Sequence, residues 1–265
     1  MRSFTIPLFA SVLIGLIFAS RLAAEEWFTD QASGCKVARS VTDIQTDSFF
    51  WHGVCRDGFA DGKGRLNLFW KGRPAGQIDG NWKSGRQIGP GTAVASDGSR
   101  YEGEFINSAA NGHGTLTRPN GDQYVGNFKD GLLSGHGTYL FSDGGRYEGN
   151  FSQDLPDGDG IYTGPDGTQY IGQWQQGRKT GHGTLTMANG DRYDGEFRSD
   201  RFSGPGTLTW LTGGRYEGEF LDNKASGIGK LYYPSGKIYS GIWMNGCSKD
   251  GPRIFAIGVD RAACQ

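Results

Sequence analysis

Residues 101–116 read YEGEFINSAANGHGTL, and residues 193–208 read YDGEFRSDRFSGPGTL. In the first stretch Tyr101, Gly103 and Phe105 alternate with two glutamates. Side chains of a β-strand point to its two faces in turn, so this alternation predicts a strand with one aromatic and one acidic face. The G-x-G-x-L segment that follows keeps the same period and predicts a second strand.

This pattern is an internal repeat. A tyrosine recurs every 23 residues from Tyr101 to Tyr239, and Ile78 extends the series backwards by one step. Trp51 begins a further copy, with four extra residues before Ile78. We therefore expect nine units over residues 51–252, the last one degenerate, which start at residues 51, 78, 101, 124, 147, 170, 193, 216 and 239.

Two turn signals separate the predicted strands. Asp130-Gly131 lies inside a unit and Asn120-Gly121 lies between two units, and equivalent pairs recur along the chain. These residue types tolerate the positive φ that tight hairpins require. Each unit is therefore predicted to be one β-hairpin. The fold class predicted is all-β, an elongated, single-layer, twisted antiparallel sheet of tandem β-hairpins in which rings lie on glycine backbone.

The two ends of the chain fall outside the repeat. Residues 1–24 contain Arg2, an apolar stretch and small residues before Glu25, which is typical of a signal peptide. A retained N-terminal membrane anchor is the alternative. Residues 25–50 and 253–265 are expected to cap the array. We therefore expect an exported protein, either periplasmic or extracellular.

The four cysteines lie near these ends, and none has C-x-x-C spacing. An even number in an exported chain favours disulfides over metal binding. A disulfide requires Cα atoms within about 7 Å, so cysteines at opposite ends of an open array cannot pair. The predicted pairs are Cys35–Cys55 and Cys247–Cys264.

Charge argues against a nucleic-acid partner. Without residues 1–24 the chain has 25 basic and 28 acidic residues, a formal net charge of −3. Such a chain has no overall attraction to phosphate backbones or to anionic lipid.

The quoted units resemble the MORN (membrane occupation and recognition nexus) repeat in their Y-E-G-E-F/W segment, glycine turn, G-x-G-x-L segment and Asn/Asp-Gly turn. The resemblance covers about three quarters of the chain. It implies an elongated array of hairpins used for protein or lipid contact. The kinase and methyltransferase segments of some members have no counterpart in this chain, and the exported N-terminus differs from cytosolic members.

Three histidines share one place in the repeat, namely His113, His136 and His182. Equivalent positions of adjacent hairpins lie about 10 Å apart, whereas zinc ligands lie about 2 Å from the metal. We therefore predict no metal site. Asp154, Asp157 and Asp159 lack the spacing of a calcium loop and are expected to belong to a turn.

No segment predicts catalysis. The G-x-G pairs are not followed by the G-K-[ST] of a phosphate-binding loop, and G-x-S-x-G is absent from the sequence. Glutamate pairs such as Glu102/Glu104 and Glu217/Glu219 recur as a solvated strand face. We expect neither an enzyme nor a cofactor, and we predict no catalytic residue.

The aromatic row is the candidate binding feature. Its expected role is internal packing, and the alternative is a groove for a partner, because a single-layer sheet has no second layer. The row comprises Tyr101, Phe105, Tyr124, Phe128, Tyr147, Phe151, Tyr170, Trp174, Tyr193, Phe197, Tyr216 and Phe220.

Together these features predict a non-catalytic repeat scaffold that presents an extended surface to a protein or a polymer of the cell envelope. The alternative function is a peripheral module that binds a membrane surface or phospholipid. The sequence does not name the partner.

Overall fold

The computed structural model describes residues 27–38 and 46–264. Within them the chain is all-β, apart from a single 3₁₀ turn at Arg261–Cys264. Strands β1 to β19 belong to one sheet and β20 and β21 to another. The predicted signal peptide, residues 1–24, lies outside the described residues. In the described part of the chain, no helix is long and apolar enough to span a membrane.

The chain divides into two compact units. Among the described residues, the N-terminal unit contains residues up to 143 together with 150–155. Its strands are β1 Trp27–Thr29, β2 Lys36–Ala38, β3 Ser48–Arg56, β4 Phe59–Trp70, β5 Arg73–Lys83, β6 Arg86–Ala95, β7 Arg100–Ile106, β8 Ala109–Thr117, β9 Gln123–Lys129 and β10 Leu132–Leu140.

The C-terminal unit contains residues 144–149 and those from 156 onward. Strand β11, Arg146–Ser152, and strand β12, Leu155–Thr163, each contain residues of both units. The remaining strands are β13 Gln169–Gln175, β14 Arg178–Thr186, β15 Arg192–Arg198, β16 Arg201–Thr209, β17 Arg215–Leu221, β18 Lys224–Tyr232, β19 Ile238–Trp243, β20 Cys247–Asp250 and β21 Arg253–Ala256.

Hairpins follow one another along the chain, as predicted. In β15 and β16, Tyr193 pairs with Leu208 and Gly195 pairs with Gly206, antiparallel. Turns inside a unit have positive φ at both central residues, as at Asp130 (49°) and Gly131 (85°). The turn between units has positive φ at its glycine, as at Gly121 (95°). The predicted all-β fold of antiparallel tandem hairpins is confirmed.

The two glycines of each G-x-G segment have different roles. Gly204 has a φ of 64°, and the register between β15 and β16 shifts beside it, between Gly195 and Phe197. A positive φ at a bulge suits glycine. The second glycine, Gly206, stays in the ladder opposite Gly195. The segment therefore combines a bulge with a site of close approach.

A short hairpin closes the N-terminal end of its unit. Strands β1 and β2 pair with each other, and Lys36 of β2 pairs in parallel with Phe59 of β4. The Ala38 N–H donates to the Gly85 carbonyl. The Trp27 ring meets Phe59 edge-on at 4.7 Å.

The C-terminal end departs from the repeat. Strand β20 pairs with β21, and the Phe255 ring packs on Tyr239 at 4.2 Å. Both predicted disulfides are formed, with Cα–Cα distances of 5.7 Å for Cys35–Cys55 and 5.5 Å for Cys247–Cys264. Paired cysteines of this kind are typical of an oxidising compartment.

Candidate binding surface

Each sheet face has a distinct composition, and we name the face that carries the aromatic row the inner face. On this face the Tyr193 ring lies over the backbone of Gly195 and Gly206. A Cβ at Gly206 would lie 2.7 Å from two ring carbons of Tyr193, and a Cβ at Gly195 would lie 2.6 Å from its hydroxyl. Any side chain at either position would displace the ring. The predicted packing of rings on glycine backbone is confirmed.

Neighbouring rings interlock along the inner face. The Tyr193 ring meets Phe197 of its own hairpin edge-on at 5.2 Å and Phe220 of the next at 5.1 Å. The same two contacts hold Tyr101, with Phe105 at 5.1 Å and Phe128 at 4.9 Å. Edge-to-face pairs at these distances contribute about 0.5–1.5 kcal/mol each beyond their buried area.

The tyrosine hydroxyl is satisfied within its own strand. The Tyr193 hydroxyl donates to the Glu196 carbonyl at 3.0 Å, and Tyr124 donates to Asn127 at 2.9 Å. Burial raises the pKa of Tyr193, with a further contribution from Glu196. Burial likewise raises the pKa of Tyr216 to about 12. These phenols therefore stay protonated and neutral in the folded chain.

A variable residue, nine positions after the first residue of each unit, is buried on the inner face, and we name it the cover residue. Phe202 stacks on Tyr193 with centroids 3.7 Å apart and planes 8° apart. The Lys179 Nζ lies 5.5 Å from the ring centroids of both Tyr170 and Trp174. The cover residues are Ala60, Gln87, Ala110, Leu133, Pro156, Lys179, Phe202, Ala225 and Ser248, and all are buried.

Hydrogen bonds from the next turn hold the cover residue in place, and we name this arrangement the latch. The Asp200 N–H donates to the Lys179 carbonyl at 3.1 Å, and the Lys179 N–H donates to the Asp200 carboxylate at 2.9 Å. Asn223 makes the same pair of bonds with Phe202. Where the second turn residue is glycine, as at Gly131, its N–H still donates to the cover carbonyl.

Lys179 is the one charged cover residue and is only 4% exposed. Its ammonium lies 3.7 Å from the Asp200 carboxylate. Burial lowers the pKa of Lys179, and the charge of Asp200 opposes this effect. The positive charge is therefore held between two aromatic rings and one carboxylate.

These contacts assign the aromatic row to packing. Its twelve side chains, Tyr101, Phe105, Tyr124, Phe128, Tyr147, Phe151, Tyr170, Trp174, Tyr193, Phe197, Tyr216 and Phe220, are between 0% and 4% exposed. The groove alternative therefore fails, because the cover residue and the neighbouring rings occupy the space that a single layer was expected to leave open.

The opposite, outer face is polar in most hairpins. Arg192 and Asp194 form an ion pair at 2.6 Å, and Arg215 and Glu217 another at 2.6 Å. His182 lies on this face 3.4 Å from Asp194. Exposed pairs of this kind stabilise a fold by about 0–1 kcal/mol. The outer face is therefore free to vary without loss of the fold.

Part of the outer face carries three strongly exposed isoleucines, and we name Ile228, Ile238 and Ile242 of strands β18 and β19 the apolar patch. Ile228 and Ile242 are Cα partners and are 77% and 70% exposed. Ile238 is 60% exposed. The position of the Ile228–Ile242 pair is held by Pro205 and Glu219 in the preceding hairpin pair.

The other sequence candidates are structural. Asp154 accepts the Leu133 N–H at 2.8 Å, and Asp157 accepts the Gln176 N–H at 3.1 Å. His113 and His136 are exposed on their strands. Among the described residues no group of three His, Cys, Asp or Glu side chains is placed to hold a metal ion.

Comparison with known proteins agrees with this geometry. The family model described as "MORN repeat" matches residues 79–100, 101–123, 124–146, 147–169, 170–192, 193–215 and 216–238. The expected units that start at residues 51 and 239 lie outside this match. A comparison with curated proteins finds no match.

Solved structures resemble the chain only distantly. A TCP domain of Drosophila melanogaster SAS-4 (dCPAP), in complex with a proline-rich motif of Ana2 (dSTIL), is 16% identical over 57% of this chain and 83% of that chain, with a TM-score of 0.36. The G-box domain of the microcephaly protein CPAP is 14% identical over 68% of this chain and 82% of that chain, with a TM-score of 0.28. Similarity at this level supports no functional conclusion.

Proposed function

Because the chain belongs to the MORN repeat family, we propose that it is a non-catalytic repeat scaffold that binds a protein or a polymer in the cell envelope or outside the cell. Its inner face is filled by its own rings and cover residues. Binding to a partner therefore falls to the outer face.

The apolar patch is the observation that carries this proposal. Three large aliphatic side chains, each at least 60% exposed, lie on two paired strands. At the corresponding position of other hairpins at least one partner is polar, as with His182 and Glu196 or Pro205 and Glu219. Ile228 and Ile242 are cross-strand neighbours, and adjacent exposed apolar side chains are characteristic of a surface that another molecule covers.

The proposed location rests on two features. Both disulfides are of the kind that persists in oxidising compartments. The N-terminal sequence up to residue 24 has the composition of a signal peptide. A periplasmic or extracellular site of action follows from the two together.

Affinity capture from envelope extract tests the proposal. The mature chain is compared with an Ile228→Glu, Ile242→Glu double variant and with a matched Ile161→Glu, Ile171→Glu control. The control pair is also cross-strand and exposed, at 38% and 46%. We expect the first variant to lose the captured partner and the control to keep it.

Vesicle binding tests the alternative function, a peripheral module that binds phospholipid. Anionic lipid attracts a protein by about 1 kcal/mol for each Lys or Arg held near the surface, and salt screens this attraction. We expect negligible binding of the wild-type chain to anionic vesicles at physiological salt.

Partner capture that both double variants retain would refute the proposed role of the apolar patch.

A further inference from the structure

A surface cavity of about 470 Å³ lies on the C-terminal unit, at the hairpin ends of strands β14 to β17. Its polar lining consists of Arg178, Arg198, Arg201, Ser199, Ser203 and Asp222. These residues are spread over 45 positions of the sequence and meet only because the hairpins stack in register. The cavity is distinct from the apolar patch.

Two successive latches position the groups that line this cavity. Arg178 directly precedes the cover residue Lys179, and Ser199 directly precedes its latch partner Asp200. In the next latch, Arg201 precedes Phe202 and Asp222 precedes Asn223. Each latch consists of two hydrogen bonds of between 2.8 and 3.1 Å. The backbone beneath the cavity is therefore fixed before any ligand arrives.

The cavity concentrates positive charge. Arg198 and Arg201 are Cα partners across the hairpin, a placement in which like charges repel. Asp222 pairs with Arg201 at 3.0 Å. Within the described part of the chain, neither Arg178 nor Arg198 has a carboxylate partner. Three guanidinium groups and one carboxylate leave a formal charge of +2.

The repeat itself does not require this cluster. In the hairpins that start at residues 101 and 124, the places of Arg178, Arg198 and Arg201 are taken by Ala109, Lys129 and Leu132. Both sets of hairpins fold alike, so the arginines are dispensable for the fold. The three arginines lie together although their charges repel one another. This arrangement indicates an anionic ligand that neutralises them.

We propose that this cavity binds a phosphomonoester. Guanidinium groups bind phosphate oxygens through pairs of parallel N–H···O bonds, and the hydroxyls of Ser199 and Ser203 supply further donors. A phosphomonoester carries about −1.5 to −2 charge at neutral pH, which matches the cavity. This goes beyond the proposed scaffold role, since it requires neither the apolar patch nor a macromolecular partner.

Calorimetric titration of the mature chain with glucose 6-phosphate at low salt tests the proposal. We expect saturable binding of one equivalent, weakened at least about tenfold in Arg198→Gln, because one bidentate contact is lost. Asp222→Asn removes the competing carboxylate and is expected to tighten binding. Lys129→Gln changes the same repeat position in another hairpin and is expected to leave affinity within about twofold of wild type. Equal melting temperatures establish that each variant is folded.

A second arm distinguishes a soluble ligand from a lipid headgroup, using vesicles with and without phosphatidic acid. If the chain binds only vesicles with phosphatidic acid, and Arg198→Gln abolishes this binding, the site still binds a phosphomonoester. Its ligand is then a lipid headgroup. Absence of saturable binding to both probes at concentrations up to about 10 mM would overturn the proposal. Equal affinity of the wild type and Arg198→Gln, or weaker binding by Asp222→Asn, would also overturn it.

Discussion

The two faces of the hairpin β15–β16 differ in how strongly the fold restricts their residues. On the inner face the Tyr193 ring lies on two glycines, packs against Phe197 and is covered by Phe202. On the outer face of the same strand, Arg192 and Asp194 form an exposed ion pair. The inner face repeats because its contacts define the fold, whereas the outer face is free to acquire function. Differences between units are therefore more informative about binding than their similarities.

Alkaline pH is expected to destabilise the inner face of the six hairpins that start at residues 101, 124, 147, 170, 193 and 216 together. Folding raises the pKa of buried tyrosines, with Tyr216 at about 12 and an ordinary value of 10.0. Below about pH 10 both states hold the phenol proton, so this stabilisation is fully present. Above it the unfolded chain loses protons that the folded chain keeps, and stability falls until the folded pKa is passed. Urea unfolding at several pH values should show a midpoint that drops steeply above about pH 10; a flat midpoint to about pH 11.5 would contradict the burial of the row.

A single methyl group on the inner face is expected to destabilise the fold strongly. Gly206→Ala places a Cβ 2.7 Å from the Tyr193 ring, so we expect a loss of about 3 kcal/mol in the free energy of unfolding. Gly167→Ala is the control, since its φ is +83° but no atom lies within 4 Å. That substitution carries only the left-handed backbone penalty of about 1–2 kcal/mol. Equal losses in the two variants would show that ring packing does not require the glycine.

Substitutions at Lys179 and its partner Asp200 are expected to change the free energy of unfolding in opposite directions. The Lys179→Met, Asp200→Asn double substitution removes both partners of this ion pair and keeps the covering volume, so we expect a gain of about 1–2 kcal/mol in the free energy of unfolding. Asp200→Asn preserves the latch, as Asn223 does for Phe202, but leaves the lysine unpaired. We expect a loss of about 3 kcal/mol. Urea unfolding of both variants distinguishes them, and a shift in the same direction would refute the charge argument.

Substitution on the outer face is expected to have the smallest effect on the free energy of unfolding. Arg192→Gln removes one partner of an ion pair whose side chains are 52% and 35% exposed. We expect the free energy of unfolding to change by at most about 0.5 kcal/mol. Thermal unfolding at low salt checks this value. A loss comparable to that of Gly206→Ala would mean that the outer face also determines the fold.

The repeat pattern was sufficient to predict hairpins, turns and disulfides, because each depends on local residue types. Asp130-Gly131 has the φ values of its turn signal, and Cys35 and Cys55 lie at one end of the array. The cover residues were missed, because Ala, Gln, Leu, Pro, Lys, Phe and Ser all fill that position. Their constant spacing of nine residues from the first residue of each unit was the available signal.

Features that depend on register across several hairpins were not predictable. Arg178, Arg198 and Arg201 are ordinary surface residues in the sequence and become neighbours only through the stacking of β14 to β16. The groove alternative for the aromatic row failed for a related reason. It assumed that a single layer leaves one face open, whereas residues such as Phe202 are turned back onto that face by their latches.

Hydroxyl-radical footprinting with peptide mass spectrometry tests most directly whether the inner face is a closed core. We predict protection of Tyr170 and Tyr193, both 0% exposed. We predict rapid modification of Met244 and Tyr233, which are 73% and 36% exposed. Met and Tyr differ in their intrinsic reactivity toward hydroxyl radicals. Each rate is therefore divided by the rate for the same residue in the urea-unfolded chain. Modification of Tyr170 and Tyr193 in the folded chain at the rate measured for Tyr233 would contradict a closed inner face.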